Sequence, residues 1–286
     1  MKLIKYFFEF IIIIIFFLIF KILGYKNASN FGSYVTKFLG PFFRSKKLIL
    51  NNIKKALPDV DNKKLLEIYK NMWSNYGRIL SDYIFIKDFR TSKLNNFISV
   101  DGEEFLKEIR ESRKPVIFVS GHFNNFELMA MKIEMLEIKL SAIYRPLNNI
   151  FLNKIMEPIR KNYICKNQIP KGLAGLRKLL TLYKQGSSIA IMIDQRVSEG
   201  VLSKFFGQPA LTTTIPAQLV KKFQCKVVPV YIERINKHNF KMTIHKPVTF
   251  DQNETVESIT DHLNEWLEKM ILKNPDQWIW SHNRWK

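Results

Sequence analysis

The chain has 286 residues, enough for one large α/β domain or two small ones, and its 47% hydrophobic content allows a sizeable core. The two cysteines, Cys165 and Cys225, exclude a disulfide framework and a cysteine-rich metal site. The formal net charge of +20 favours acidic proteins or anionic membranes as partners, although an AT-rich genome would also give a lysine-rich composition. Basic tracts with interleaved aromatics are missing, so nucleic-acid binding is not predicted.

Residues 1–26 predict a membrane anchor. Residues 6–24 are almost wholly apolar, with lysines on both flanks, and Glu9 interrupts the run near one end, within reach of lipid headgroups. The length is close to the ~20 residues that span a bilayer. Residues 27–30 make a poor signal-peptidase site, so we expect a retained anchor. Cations on both flanks leave its orientation undecided.

Residues 27–60 mix aromatics with cations and predict a basic amphipathic segment near the membrane surface, or helices packed on the domain. Residues 61–286 form the main domain, which begins with a helix over 65–86. Apolar strands and amphipathic helices then alternate, which predicts an α/β fold with a mostly parallel central sheet flanked by helices. We predict strands at 97–100, 116–120, 140–144, 188–193, 227–231 and 240–244, and helices at 103–112, 126–136, 149–161, 171–185 and 256–272.

The stretch from Val116 to Leu128 joins a buried strand to a helix and carries the first candidate catalytic pair. His122 lies at the turn after Gly121, and Glu127 follows five residues later in the first helical turns. We expect Glu127 to bond the His122 ring, fix its tautomer and favour the imidazolium. The other ring nitrogen would then face a cleft as a general base. The alternative is a helix-capping histidine with an exposed glutamate.

Two further strand ends carry polar residues, where ligands bind in parallel sheets. Arg145 follows the 140–144 strand and is predicted to hold a phosphate or an oxyanion, or else to form a surface salt bridge. Asp194 follows the 188–193 strand and would orient Arg145 or Arg177 or hold neighbours of His122, unless it only caps a turn. Arg145, Asn125, Arg177 and Asp194 are therefore the candidate substrate-binding residues.

The segment Gly-His-Phe-Asn-Asn-Phe-Glu at 121–127 resembles the His-x4-acid motif of membrane acyltransferases. It is more similar to the Gly-His-x-Gly-Asn-Trp-Glu form of the late acyltransferases of lipid A biosynthesis, with Asn124 in place of Gly and Phe126 in place of Trp. The resemblance continues in order to the C-terminus and covers about residues 51–286. Its further motifs lie at 50–58, 144–146, 172–177, 194–195, 204–217 and 275–286.

The resemblance implies a glycerol-phosphate-acyltransferase-like fold, a fatty acyl thioester donor, usually on acyl carrier protein, and a lipid A precursor as acceptor. It also implies the bacterial inner membrane, with the catalytic domain on the cytoplasmic side. His122 and Glu127 would be catalytic, and no cofactor is predicted. The sequence has neither Gly-x-Ser-x-Gly nor His-Glu-x-x-His, which favours direct transfer without a metal. The alternatives are another lipid acceptor (a glycerophospholipid, aminolipid or glycolipid) and a non-enzymatic, membrane-anchored lipid binder.

Overall fold

The computed structural model describes residues 2–91 and 93–286, and a seven-stranded sheet lies at its centre. The helices in these residues are α1 (Lys2–Leu39), α2 (Lys46–Ala56), α3 (Asn62–Asp82), α4 (Ile86–Arg90), α5 (Glu103–Ser112), α6 (Glu127–Met135), α7 (Ile150–Ile159), α8 (Leu173–Lys184), α9 (Ile215–Phe223) and α10 (Val256–Lys273). The strands are β1 (Ile98–Asp101), β2 (Ile117–Ser120), β3 (Leu140–Tyr144), β4 (Asn167–Pro170), β5 (Ser188–Met192), β6 (Val201–Phe205), β7 (Gln208–Thr212), β8 (Val227–Ile235) and β9 (Asn239–Ile244).

The strand order of the large sheet is β1-β9-β8-β2-β5-β3-β4. The block from β8 to β4 is parallel throughout, whereas β9 runs antiparallel to β8 and β1 runs parallel to β9. Every residue of β2 is buried, as expected for a strand covered on both faces. The predicted α/β fold with a mostly parallel sheet is confirmed.

The sheet brings three sequence-distant strand ends to one edge. β5 pairs with β2 on one side and with β3 on the other, so β2 and β3 are not adjacent. The residues after these strands, His122, Asp194 and Arg145, therefore follow neighbouring carboxyl ends, with Asp194 on the middle strand. This is where open parallel sheets bind ligands.

The structure adds elements that the sequence pattern did not predict. β4 extends the sheet beside β3, and β6 and β7 form an antiparallel hairpin where no strands were predicted. Strand β8 is also longer than predicted, because it pairs with β9 as far as Ile235.

Helix α1 continues through the predicted boundary at residue 26. It bends at Gly24, whose φ of 71° is a conformation that glycine adopts without strain. Beyond the bend, Gly32 lies against Gly77 of α3 so closely that a Cβ on either residue would collide with the other's backbone. The helical stretch at Lys2–Phe42 is long and apolar enough to cross a membrane, judged by length and composition alone. Its exposed apolar side chains include Leu3, Ile4, Phe7, Phe8, Ile11, Ile12, Ile15, Leu18 and Ile22.

Candidate active site

His122 is held at the end of β2 by a buried carboxylate. Its Nδ1 lies 2.7 Å from Oδ1 of Asp194, and its backbone N–H donates to Oδ2 at 2.7 Å. The indole of Trp278 donates to the same Oδ2 at 2.8 Å. Asp194 is fully buried, whereas the His122 side chain is 20% exposed. The ring is thus fixed through Nδ1, and its other nitrogen, Nε2, is turned to the open side.

The electrostatics of this pair favour a charged ring. Burial alone would raise the pKa of Asp194, but the attraction of His122 and the hydrogen bonds from His122 and Trp278 outweigh it and lower the pKa to about 2. Burial alone would likewise lower the pKa of His122, but the charge and hydrogen bond of Asp194 raise it above its ordinary value. Asp194 therefore fixes the tautomer and stabilises the imidazolium, as a general base requires.

The turn that follows His122 depends on Asn124. This residue has a φ of +43°, in the left-handed region where glycine and asparagine are the usual residues. Its side-chain amide donates to Oδ1 of Asn75 at 2.7 Å and to Oε1 of Gln277 at 2.9 Å. Its Oδ1 also accepts the backbone N–H of Asn125 at 2.8 Å. Asn124 thus adopts the backbone form that a glycine would supply and adds three side-chain hydrogen bonds. Phe126 packs edge-on against the His122 ring, with centroids 4.7 Å apart.

The expected bond between Glu127 and the His122 ring is not present among the described residues, so that prediction is wrong. The Glu127 carboxylate instead accepts from Arg160, through Nε at 2.9 Å and Nη2 at 2.6 Å, and from the Tyr83 hydroxyl at 2.8 Å. The physical reason is that α7 brings Arg160 to the start of α6, while β5 brings Asp194 to the ring. Glu127 nevertheless lines the same cavity as His122.

A cavity of about 530 Å³ opens in front of His122. One part of its wall is apolar and is made by Phe126 and small or flexible side chains on α6, β3 and β5. The remainder carries cations from five separate segments. The apolar residues include Ala130, Ala142, Ala190 and Met192, and the cations besides Arg160 are Arg44, Arg145, Lys171 and Arg196. The cavity therefore suits an amphiphilic, negatively charged molecule.

The predicted substrate-binding residues lie at different places relative to the cavity. Arg145 is exposed and lines the cavity. Arg177 lies on an exposed position of α8 and is not part of the cavity wall. Asn125 is buried, and its side-chain amide donates to Oδ2 of Asp82 at 3.2 Å, beneath the site. Asp194 is fully buried and is not part of the cavity wall, and its oxygens are bonded to His122 and Trp278.

The C-terminal segment forms a wall of the cavity that the sequence pattern did not predict. Ile279, Ser281 and His282 line it, and His282 accepts the backbone N–H of Arg196 through Nε2 at 3.0 Å. The side-chain amide of Gln195 lies 3.4 Å from Nε2 of His122. Within this segment Trp278 and Trp280 are buried, so they pack in the core.

A histidine that is oriented by a buried carboxylate and faces a partly apolar, cationic cavity is an arrangement typical of enzymes that activate a hydroxyl or water. The sequence matches the family of bacterial lipid A biosynthesis acyltransferases over residues 1–286. The chain therefore belongs to that family and is an acyltransferase, and the resemblance of its motifs is confirmed.

Curated relatives agree with this assignment. The lipid A biosynthesis lauroyltransferase of Escherichia coli (strain K12) is 21% identical, covering 92% of this chain and 85% of that protein. The lipid A biosynthesis acyltransferase of Haemophilus influenzae is 25% identical, covering 82% of this chain and 75% of that protein. Among solved structures, the 1-acyl-sn-glycerophosphate acyltransferase PlsC from Thermotoga maritima aligns with 98% of this chain and 100% of that chain, at 14% identity and a TM-score of 0.43.

Proposed function

We propose that the protein transfers a fatty acyl group from an acyl thioester to a hydroxyl group of a lipid A precursor. The observation that carries this proposal is the His122–Asp194 pair, which leaves Nε2 facing a cavity with one apolar wall and one cationic wall. The apolar wall suits an acyl chain and the cations suit phosphate or carboxylate groups. Relatives in the family are named for lauroyl and palmitoleoyl transfer, which supports the same reaction class here.

The proposed reaction is direct. Nε2 of His122 takes the proton of the acceptor hydroxyl as its oxygen attacks the thioester carbonyl carbon. The imidazolium is stabilised by Asp194, and the tetrahedral intermediate carries its negative charge on the former carbonyl oxygen. When this intermediate collapses, the C–S bond breaks and the thiolate takes the proton from His122. The products are an ester on the acceptor and a free thiol on the carrier.

We infer supporting roles for the remaining residues of the cavity. Arg145 and the amide of Gln195 are the side chains placed to donate to an oxyanion or a phosphate. Glu127 is retained as a catalytic residue, but through its charge and not through a bond to the ring. Held by Arg160 and Tyr83, its carboxylate adds to the effect of Asp194 in raising the pKa of His122.

We further propose that residues 1–26 anchor the enzyme in the bacterial inner membrane, ahead of a membrane-proximal segment and the acyltransferase domain at 61–286. The domain would lie on the cytoplasmic side, where acyl carrier protein is the donor. The apolar face of α1 supports the anchor, and the net charge of +20 supports an acidic carrier and an anionic lipid acceptor. No cofactor enters the proposed reaction.

The test is acyl transfer by membranes that contain the wild type or His122→Ala. A Kdo-bearing lipid A precursor and a lysoglycerophospholipid would each be offered with acyl-carrier-protein and acyl-CoA thioesters. We expect a product on the lipid A precursor that falls by at least about 10²-fold in His122→Ala, the scale of a lost general base. A His122-dependent product on the glycerophospholipid alone would overturn the proposal that the acceptor is a lipid A precursor. Lipid binding without any product would favour a non-enzymatic binder.

A further inference from the structure

Glu9 is an acid inside the apolar half of α1, and the structure gives it a partner other than a lipid headgroup. The side-chain amide of Asn149 lies 3.3 Å from Oε2 of Glu9 and donates to the backbone carbonyl of Tyr6 at 2.8 Å. Lys5 is also near, with its Nζ 3.8 Å from the carboxylate. A polar contact from the domain therefore reaches the helix near the start of its apolar run.

Asn149 uses both ends of its amide. The Nδ2 group binds α1, while Oδ1 accepts the backbone N–H groups of Phe151 at 3.1 Å and Leu152 at 3.2 Å, which makes Asn149 the N-cap of α7. Asn149 itself is only 6% exposed, while the Glu9 side chain is 44% exposed. Beside Asn149, the ring of Phe151 packs on Phe7, with centroids 5.6 Å apart, and on Phe10, with centroids 5.8 Å apart.

The far end of α7 leads to the active site. The helix has ten residues, about 15 Å of length, and Arg160 follows its last residue. Arg160 makes the two-pronged contact with Glu127. Near its start, α7 also holds the cavity rim, because Oδ1 of Asn153 accepts the backbone N–H of Leu147 at 3.0 Å. One short helix therefore joins α1, the rim that carries Arg145 and the Glu127 carboxylate.

We propose that α1 is a working part of the active site, and that Asn149 is a positioning residue which couples this apolar helix through α7 to the Arg145 rim and to Glu127. The inference deepens the proposed function and rests on it for its activity readout. The proposal also explains why Glu9 and Asn149, two polar residues, lie within the largely apolar contact between α1 and α7. Insertion of α1 into the membrane and positioning of the rim that carries Arg145 are then coupled.

Passive anchoring makes the opposite prediction for one variant. Glu9→Leu makes α1 more apolar, so a helix that only anchors would hold the membrane at least as well and leave transfer unchanged. Under the coupling proposal the same change removes a partner of Asn149. We then expect kcat/KM for the lipid acceptor to fall about threefold, while the protein stays in the membrane fraction. Asn27→Leu is the matched control, because it adds the same side chain at an exposed position of the same helix.

The variant Asn149→Ser separates the two uses of the amide, since serine also caps helices but is too short to replace the Nδ2 contacts. We expect the acceptor KM to rise and kcat/KM to fall about 3- to 10-fold, the scale of one or two lost hydrogen bonds, with the KM of the thioester donor unchanged. Loss of the cap on a remote helix, in Thr255→Ala, controls for lower stability alone. A change in both substrates' KM, or none, would overturn the proposal.

Two measurements test the transmission through α7. Residues 149 and 160 lie at opposite ends of α7. If α7 did not link them, the fold-reductions in kcat/KM from Asn149→Ser and Arg160→Lys should multiply in the double variant to within about twofold. We expect the double variant to depart clearly from that product. Hydrogen exchange gives a readout that needs no activity: Asn149→Ser should deprotect residues 145–160 and leave α10 unchanged. If the wild type fails to acylate the lipid A precursor, the proposed function fails. If exchange at 145–160 is unaltered, the coupling fails.

Discussion

At the residue scale, the reactivity of His122 depends on one buried carboxylate, and this dependence has a direction in pH. The ring acts as a base only when neutral, and Asp194 raises its pKa above the ordinary value. The rate kcat/KM of the wild type should therefore rise with pH through that raised pKa. Glu127 acts in the same direction through its charge alone, because it does not bond the ring, so its effect on the pKa of His122 should be smaller.

Asp194→Asn tests this assignment. The neutral amide removes the charge that favours the imidazolium, so the acid limb of the pH profile should move to lower pH. The maximum rate should fall about 10²- to 10⁴-fold, because the ring loses its orienting acceptor. Glu127→Gln is the matched variant, since it also neutralises an acid in the same site but leaves the His122–Asp194 bond intact. An acid limb in Asp194→Asn that coincides with the wild type would contradict the assignment.

Asn124 gives a second prediction at this scale, because backbone conformation and side-chain bonding can be separated there. Asn124→Gly keeps an easy left-handed backbone and loses only the side-chain bonds to Asn75, to Gln277 and to the backbone N–H of Asn125. Asn124→Ala loses the same bonds and also places a Cβ in an unfavourable conformation. Urea denaturation should show the alanine variant less stable than the glycine variant by about 1 kcal/mol. Equal stabilities would mean that φ at this position is not constrained.

The sequence located His122 but assigned it the wrong partner, and the reason is physical. The motif spacing offers Glu127 at five residues, whereas Asp194 is 72 residues away and arrives only because β5 inserts between β2 and β3. A spacing argument treats local neighbours alone. Asp194 was recognised as a polar strand end, but strand order was needed to place it against the ring.

At the scale of elements, local patterns predicted those with strong periodicity. Helix α5 and strand β3 have the predicted bounds, since each combines a clear period with clear end signals. Strand β4 was missed because its four residues are Asn-Gln-Ile-Pro, a polar run that ends in proline. The sheet recruits it through pairing with β3, a tertiary effect that no window of sequence contains.

The C-terminal segment shows how an element without regular structure is fixed. Asn52 of α2 donates its side-chain amide to the carbonyls of Trp280 and His282, both at 2.9 Å, and is buried. Asn52→Ala would leave two acceptors unpaired and should lower the free energy of unfolding by about 1–3 kcal/mol, with a loss of transfer as His282 and Trp278 shift. Asn51→Ala, at the exposed neighbour, should change stability by less than about 0.5 kcal/mol. Equal effects of the two substitutions would show that the hydrogen bonds from Asn52 do not stabilise the C-terminal segment.

At the scale of the whole molecule, part of the excess positive charge lies at the opening of the cavity. Within residues 2–91 and 93–286, the rim cations Arg44, Arg145 and Lys171 take part in no salt bridge, while the acids of the site are bound to Arg160 and His122. The cavity is therefore electropositive, and such openings raise the association rate of anionic molecules in a salt-dependent way. Composition alone could not separate this from a general lysine bias, because it gives the number of charges but not their place.

Reversing the charge of one cation on the rim and of one cation away from it distinguishes local electrostatic steering from an effect of the overall charge. Lys171→Glu lies on the rim and Arg177→Glu on the exposed face of α8, and both lower the net charge by two. If the rim steers an acidic carrier protein, Lys171→Glu should reduce kcat/KM for the carrier thioester about tenfold and Arg177→Glu by much less. Raising the salt from about 0.1 M to about 1 M, which shortens the Debye length from ~10 Å to ~3 Å, should remove most of that difference. An uncharged short-chain thioester should show neither effect. If the two variants behave alike, the net charge of +20 acts as a whole and the rim has no special part in donor capture.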